Sequence, residues 1–271
     1  MSATKLTTKQ VEKPWGRTDL LAGFGGPSES RIGELWFDGP QGTDLPLLVK
    51  YIFTSEKLSI QVHPTDAQAQ AQGLPGGKSE CWYILDAGPD ARLGIGTIRP
   101  LDESALRVAA ADGSLEALMD WKTVQPGDFF YIPAGTVHAI GPDVTLVEVQ
   151  QNNDITYRLF DYGRPRELHL EEGAPVSHAA PYDLPERRVA LGQNVRLLDG
   201  RDQPFALDMI AWEAGKDVAL PAARVWFVPI SGAGTLDGAH WHGGECWLLD
   251  DHPSLAIAER TTGFLAWQSG M

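Results

Sequence analysis

Strand-length apolar runs, broken by glycine and proline, recur along almost the whole chain. Alternation of apolar and polar positions with a period of two predicts half-buried strands. Residues 32–37 (Ile-Gly-Glu-Leu-Trp-Phe) and 47–53 (Leu-Leu-Val-Lys-Tyr-Ile-Phe) carry it first. In the second run Lys50 shares a face with Leu48 and Ile52, so it is either a snorkelling edge residue or a group aimed into a polar cavity. In residues 58–64, Gln61 and His63 share one face, Ile60 and Val62 the other, and Pro64 ends the strand. Two polar side chains so placed can converge on one ion, or simply form a polar outer face. Residues 78–86 put Lys78, Glu80, Trp82 and Ile84 on one face. A carboxylate there needs a partner, either Lys78 or a metal. Residues 144–151 align Leu146, Glu148 and Gln150, and residues 155–164, with Arg158, follow a turn.

Other stretches break this pattern. Residues 66–73 predict a short helix. Residues 102–111 and 114–121 predict a helical insertion near 100–122, with Asp102 and Ser114 as N-caps. Residues 173–187, with Pro175, Pro181 and Pro185, read as a linker between a domain of residues 1–178 and a smaller one of residues 188–271. Short strands return at 205–212 and 225–230. Glu245-Cys246-Trp247 repeats Glu80-Cys81-Trp82, but its flanks place it on a different strand. The expected counterpart of residues 81–84 is 225–228, which sets Arg224 opposite Glu80 and Leu255 opposite His138, a second unit without metal ligands. His240, His242 and Glu245 suggest either a ligand trio or a solvated loop, and the Gly-rich surroundings favour the loop.

Composition narrows the class. The chain has 271 residues, a formal net charge of -14, 29 glycines, 19 prolines and 9 tryptophans. Turns and flat aromatics fit an all-β chain. The acidity argues against nucleic acid or an anionic membrane as partner. Two cysteines exclude a cysteine-rich zinc site and leave at most one disulfide. The first residues hold no apolar leader and no run is long enough to span a bilayer, so a cytoplasmic protein is expected.

The chemistry centres on residues 126–138. Pro126-Gly127-Asp128 is a turn, 129–132 a short apolar strand, and Pro133 and Gly135 bend the chain before His138. The pattern Gly127-x5-Pro133-x-Gly135-x2-His138 resembles the second signature of the cupin β-barrels. The resemblance implies jelly-roll barrels and a metal-ligating His138. Gln61, His63, Glu80 and His138 together form a set of two nitrogens and two oxygens. Such a set suits Zn(II), and would also take Mn, Fe or Co. With one anionic ligand, a divalent ion keeps a net charge near +1 and remains a Lewis acid.

Residues 58–64, 77–83, 126–138, 148–151 and 156–162 together resemble the type I mannose-6-phosphate isomerases in their short bacterial form. The likeness runs over roughly residues 10–175 and thins after 185. It implies two cupin-type barrels, the second degenerate, and interconversion of D-mannose 6-phosphate and D-fructose 6-phosphate. It implies one zinc per chain on Gln61, His63, Glu80 and His138, and puts Arg158 and Lys78 in the active site with Glu148 nearby. Ser79 and Phe160 depart from the family's Thr and Tyr, and Phe160 loses a hydroxyl. Isomerisation through an enediolate needs a base and charge stabilisation. Glu148 is the favoured base. Lys78 is its rival, because a lysine near a cation has a lowered pKa. Arg158 suits the phosphate, with Lys50 a further candidate. The alternatives are a non-catalytic sugar-phosphate-binding cupin and an Fe(II) cupin oxygenase. Oligomeric state is left open.

Overall fold

The computed structural model describes residues 2–269 except 21, 25, 42 and 222. Strands dominate. Among the described residues the helices are Asp66–Ala71, Glu103–Asp112, Leu115–Leu118 and Leu170–Val176, with a short 3-10 turn at Ala22–Phe24. The architecture is the expected all-β one, two barrels with a helical insertion in the first.

The first barrel closes between two sheets. One runs in the order Arg187–Arg188, Asp128–Ile132, Glu80–Ala87, Val144–Gln151, Leu47–Phe53, Pro27–Asp38, Thr7–Asp19. The other runs Tyr157–Phe160, Ile60–Val62, His138–Ile140, Arg92–Thr97, Met119–Thr123. Their inner faces share a core of Ile52, Trp82, Ile84, Phe130 and Leu146 against Leu93, Ile95 and Ile140. The second barrel pairs a six-stranded with a three-stranded sheet. Its interior is filled by Phe227, Trp241, Leu236, Leu249 and Leu265. The two largest sheets pack back to back, so strand alternation decides everything at Glu80–Ala87. Cys81 and Tyr83 face the second barrel beside Trp226, Val228 and Cys246, while Trp82 and Ile84 face inward. Both cysteines are free and buried in this inter-barrel core.

Two glycines allow the approaches that shape the site. Gly135, at φ +92°, bends the chain before His138, and its N–H donates to the His63 carbonyl (2.7 Å). Gly77 passes against the start of Asp66–Ala71, where a Cβ would lie 2.5 Å from Asp66 N and Thr65 C. That helix is fixed by a capping box, Thr65 with Gln68.

Several expectations need correction. Residues 119–121 are not helical: Met119–Thr123 pairs with Arg92–Thr97, and strand pairing overrides local helix propensity. Ser114 makes no side-chain cap. The span 173–187 is not irregular throughout, since it begins within the helix Leu170–Val176. Arg187–Arg188 then pairs with Asp128–Phe129. Ala3–Lys5 joins the C-terminal six-stranded sheet by pairing with Trp247–Leu249. Ala239–His242 is a strand rather than a loop, with Trp241 buried. The internal register also moves by one residue. Tyr83 pairs with Phe129, as Val228 does by extension with Cys246, and Cys81 and Trp226 share the inter-barrel face. Val225, not Arg224, therefore stands where Glu80 stands.

Gly77→Ala should cost about 1–3 kcal/mol, because the methyl meets backbone rather than a yielding side chain. A lowered thermal midpoint checks this. A midpoint equal to that of the parent would show that the loop moves aside freely.

Candidate metal centre and active site

Strand register brings the site together as two facing rows. In the seven-stranded sheet, Trp36, Lys50, Glu148 and Trp82 are successive cross-strand partners. In the opposite sheet the row is Arg158, Gln61, His138 and Ile95. Gln150 pairs with Glu80 one step along. His63 follows directly after Ile60–Val62, where Gly135 holds its carbonyl.

His63, Glu80 and His138 are all buried, and their candidate ligand atoms lie within 4.8 Å of one another. Each imidazole is turned by a backbone carbonyl. His63 Nδ1 donates to Ile155 O (2.7 Å) and His138 Nδ1 to Thr136 O (2.8 Å), because a carbonyl can only accept. Both Nε2 atoms are thereby acceptors turned to the centre, that of His63 taking a hydrogen bond from Lys78 Nζ (3.0 Å) and that of His138 lying against the Gln61 amide. Burial, partly offset by the bond to Thr136, pushes the His138 imidazole down to about 4. Burial and then the Lys78 ammonium hold His63 well below the usual histidine range. Both are neutral near pH 7, the form that coordinates a metal.

Glu80 is fully buried, and neither of its oxygens receives a well-aligned hydrogen bond. Its close cationic partner is Lys78 Nζ, 2.7 Å from Oε2. A buried carboxylate so poorly satisfied, facing two imidazole lone pairs, fits a divalent ion. Gln61 sits with its amide nitrogen 3.3 Å from His138 Nε2, and Ser59 Oγ donates to its oxygen (3.3 Å). The two amide orientations are isosteric, so a half-turn offers the oxygen to the same centre. The sequence-derived residues thus do converge.

Gln61 and Lys78, which touch the trio, line a cavity of about 240 Å³ together with Lys50, Glu148, Arg158 and Arg166 among others. Trp82 Nε1 donates to Glu148 Oε2 (2.9 Å), and Lys50 Nζ lies 3.5 Å from Glu148 Oε1. Burial, reinforced by Glu80, raises the Glu148 carboxyl above the usual range despite both lysines. At Lys78, burial pulls the ammonium down, but Glu80 and Glu148 together lift it above the ordinary lysine value. Lys50 is buried in an interior strand, which excludes the snorkelling-edge reading.

Lys13, Glu34 and Arg166 also line the cavity and were not singled out from the sequence. Glu34 had a signal: it shares a face with Trp36 on a strand whose other face is apolar. Lys13 and Arg166 lie in irregular sequence that offers none. Lys13 pairs with Glu34 (3.2 Å), and Arg166 is held by Asp161 Oδ1 (2.7 Å). Arg158 is different. It has no carboxylate within salt-bridge reach among the described residues, and its buried Nε has no hydrogen-bond partner. Phe160, where the family's tyrosine would stand, packs on Tyr162 and is not among the lining residues.

No protein-family model matches the chain. The mannose-6-phosphate isomerase ManA of Bacillus subtilis is 40% identical over 169 residues, 58% of this chain and 53% of its own length, so that match spans only about half of the relative. The probable mannose-6-phosphate isomerase GmuF of the same organism is 40% identical over 256 residues, 86% of this chain and 80% of the relative. The chain belongs to the mannose-6-phosphate isomerase family. A crystal structure of the Bacillus subtilis mannose 6-phosphate isomerase superposes with a TM-score of 0.76 at 26% identity, covering 98% of this chain and 99% of the other. A mannose 6-phosphate isomerase described as holo and zinc-bound shares the fold, with a TM-score of 0.71 at 17% identity over the full length of both chains.

Two predictions follow from the trio. His63→Ala and His138→Ala should each remove most of the bound metal while leaving a folded β protein. Metal analysis beside circular dichroism checks this, and full occupancy in either variant would contradict the assignment. The metal-free protein should lose stability as pH falls from about 6.5 towards 4. Unfolded imidazoles take up protons that the folded ones refuse, by up to about 1.4 kcal/mol per pH unit for each histidine. Denaturant midpoints in chelator that stay constant over this window would contradict it.

Proposed function

We propose that the protein interconverts D-mannose 6-phosphate and D-fructose 6-phosphate in this cavity. The observation that carries the reading is that one cavity is lined by a raised carboxyl and a guanidinium without a carboxylate partner among the described residues, with Gln61 and Lys78 in its wall against the buried metal-ligand trio. Of the lining cations, Lys13, Lys50, Lys78 and Arg166 are each matched by a carboxylate, whereas among the described residues the Arg158 guanidinium meets only the neutral Glu167 carbonyl, through Nη1 (2.7 Å), and keeps its charge for an anion. A charge-assisted hydrogen bond to phosphate is worth about 1.5–3 kcal/mol. One such group offsets the unfavourable net charge of -14. Burial, then Arg166, pulls the Arg158 guanidinium below its usual value, and an arriving anion relieves that strain.

In the proposed reaction Glu148 takes the proton from C2 of the open-chain aldose and returns it to C1, while a second proton passes from the O2 hydroxyl to O1. Its raised pKa makes it a stronger base than an exposed glutamate. The Lys78 ammonium faces the negative charge that develops on the O1–O2 edge of the enediolate. Gln61, His63, Glu80 and His138 would hold the metal. Zn(II), one per chain, is our choice from the mixed nitrogen and oxygen donors, and it would supply Lewis-acid stabilisation of the same oxygens. The lining residues all fall between Lys13 and Arg166, so we assign catalysis to the first barrel. The described residues include no helix long and apolar enough to cross a membrane. We place the enzyme in the cytoplasm, because a charged sugar phosphate does not cross a bilayer unaided.

Turnover of mannose 6-phosphate should disappear with chelator and return with zinc. Glu148→Gln should lower kcat by about 10²-fold or more while metal stays bound. A wild type that binds sugar phosphate without turning it over would support a non-catalytic binding protein instead. Oxygen consumption with Fe(II) would support an oxygenase. Full activity of Glu148→Gln would remove the base assignment.

A further inference from the structure

Lys50 was a candidate for the phosphate on sequence grounds, yet its surroundings fit another task. The four-strand row Trp36, Lys50, Glu148, Trp82 places the carboxylate between a lysine and an indole. Each Glu148 oxygen faces a different fixed group: Oε1 the Lys50 ammonium (3.5 Å) and Oε2 the Trp82 N–H (2.9 Å). Lys50 is itself held. Its ammonium lies over the Trp36 ring, 4.5 Å from the centroid. That ring cannot turn freely, because Trp36 Nε1 donates to Glu34 Oε2 (2.5 Å). Glu34 is in turn paired with Lys13 (3.2 Å). A ladder of alternating charge and aromatic surface thus runs from Lys13 to Glu148, and Lys50 is buried within it.

We propose that Lys50, braced by Trp36 and Glu34, is a positioning residue that fixes the plane of the Glu148 carboxylate towards the sugar carbon, and is not a contact of the phosphate. The proposal rests on Glu148 being the base of the isomerisation. The chemistry favours it over phosphate binding. An ammonium already flanked by a carboxylate and a ring face has little charge left for a dianion, whereas Arg158 has no carboxylate partner among the described residues and an unpartnered Nε. A base at C2 must hold its geometry within fractions of an ångström. A displacement of about 1 Å costs roughly a hundredfold in rate.

The test compares the metal-loaded wild type with Lys50→Met and Trp36→Phe, using mannose 6-phosphate turnover and inhibition by inorganic phosphate. Measurable wild-type turnover secures the underlying reading first. A wild type without turnover overturns that reading, and the Lys50 proposal with it. Given turnover, Lys50→Met should lower kcat roughly 10- to 100-fold, with KM and the phosphate inhibition constant unchanged. Trp36 is only half-buried, so Trp36→Phe keeps the fold and should lower kcat by a smaller factor with the same unchanged KM. In heavy water, both variants should carry more solvent deuterium into product than the wild type, because a loosened carboxylate exchanges its proton before returning it. A raised KM and weakened phosphate inhibition with kcat intact would overturn the proposal and return Lys50 to the phosphate. Wild-type kcat and wild-type deuterium content in Trp36→Phe would overturn the bracing ladder even if Lys50→Met failed to fold.

Discussion

The structure depends on one unfavourable burial. Glu80 is a carboxylate with essentially no exposure and no well-aligned hydrogen bond, facing two imidazoles whose protons are already committed to backbone carbonyls. An ionised carboxylate in such a place is costly unless a cation balances it. Lys78 supplies part of that balance, and its ammonium is lifted above the ordinary value in doing so. A divalent ion on the same donors would complete it. The centre is therefore best understood as a cation site whose ligands are pre-turned by the fold.

Sheet register is what turns this local chemistry into an active site. With side chains alternating strictly, one row of the large sheet delivers Lys50, Glu148 and Trp82 to the cavity while the intervening Cys81, Tyr83, Val147 and Val149 pack against the second barrel. A slip of one residue would exchange the two sets and bury the charges between the barrels. The second barrel covers the outer face of the sheet that carries this row and has Val225 at the position of Glu80.

Much of this was legible in the sequence because it rests on short-range signals. Period-two alternation put Gln61 with His63, and Glu80 with Trp82. The Gly127–His138 pattern marked the turn that presents an imidazole. The all-β class and the isomerase likeness rested on the same segments. What escaped depends on long-range pairing. Residues 119–121 have helical composition but complete a sheet beside Arg92–Thr97. The register between the barrels was one residue out because residues 225–228 match 81–84 in apolar and aromatic character, whereas cross-strand pairing aligns Val225 with Glu80. Arg166 reaches the cavity from an irregular segment, and Lys13 from a break in the pairing of Thr7–Asp19 between Glu12 and Arg17, where no periodicity points to a face. The charge environment of Lys78 was hidden for a different reason: Glu80 and Glu148 act on it through space, and only one of them is its neighbour in sequence.

The most direct measurement is X-ray absorption at the metal edge of the zinc-loaded enzyme. The account predicts a first shell of nitrogen and oxygen only, with outer-shell scattering from two imidazoles. Sulfur in the first shell, or fewer than two imidazoles, would contradict it.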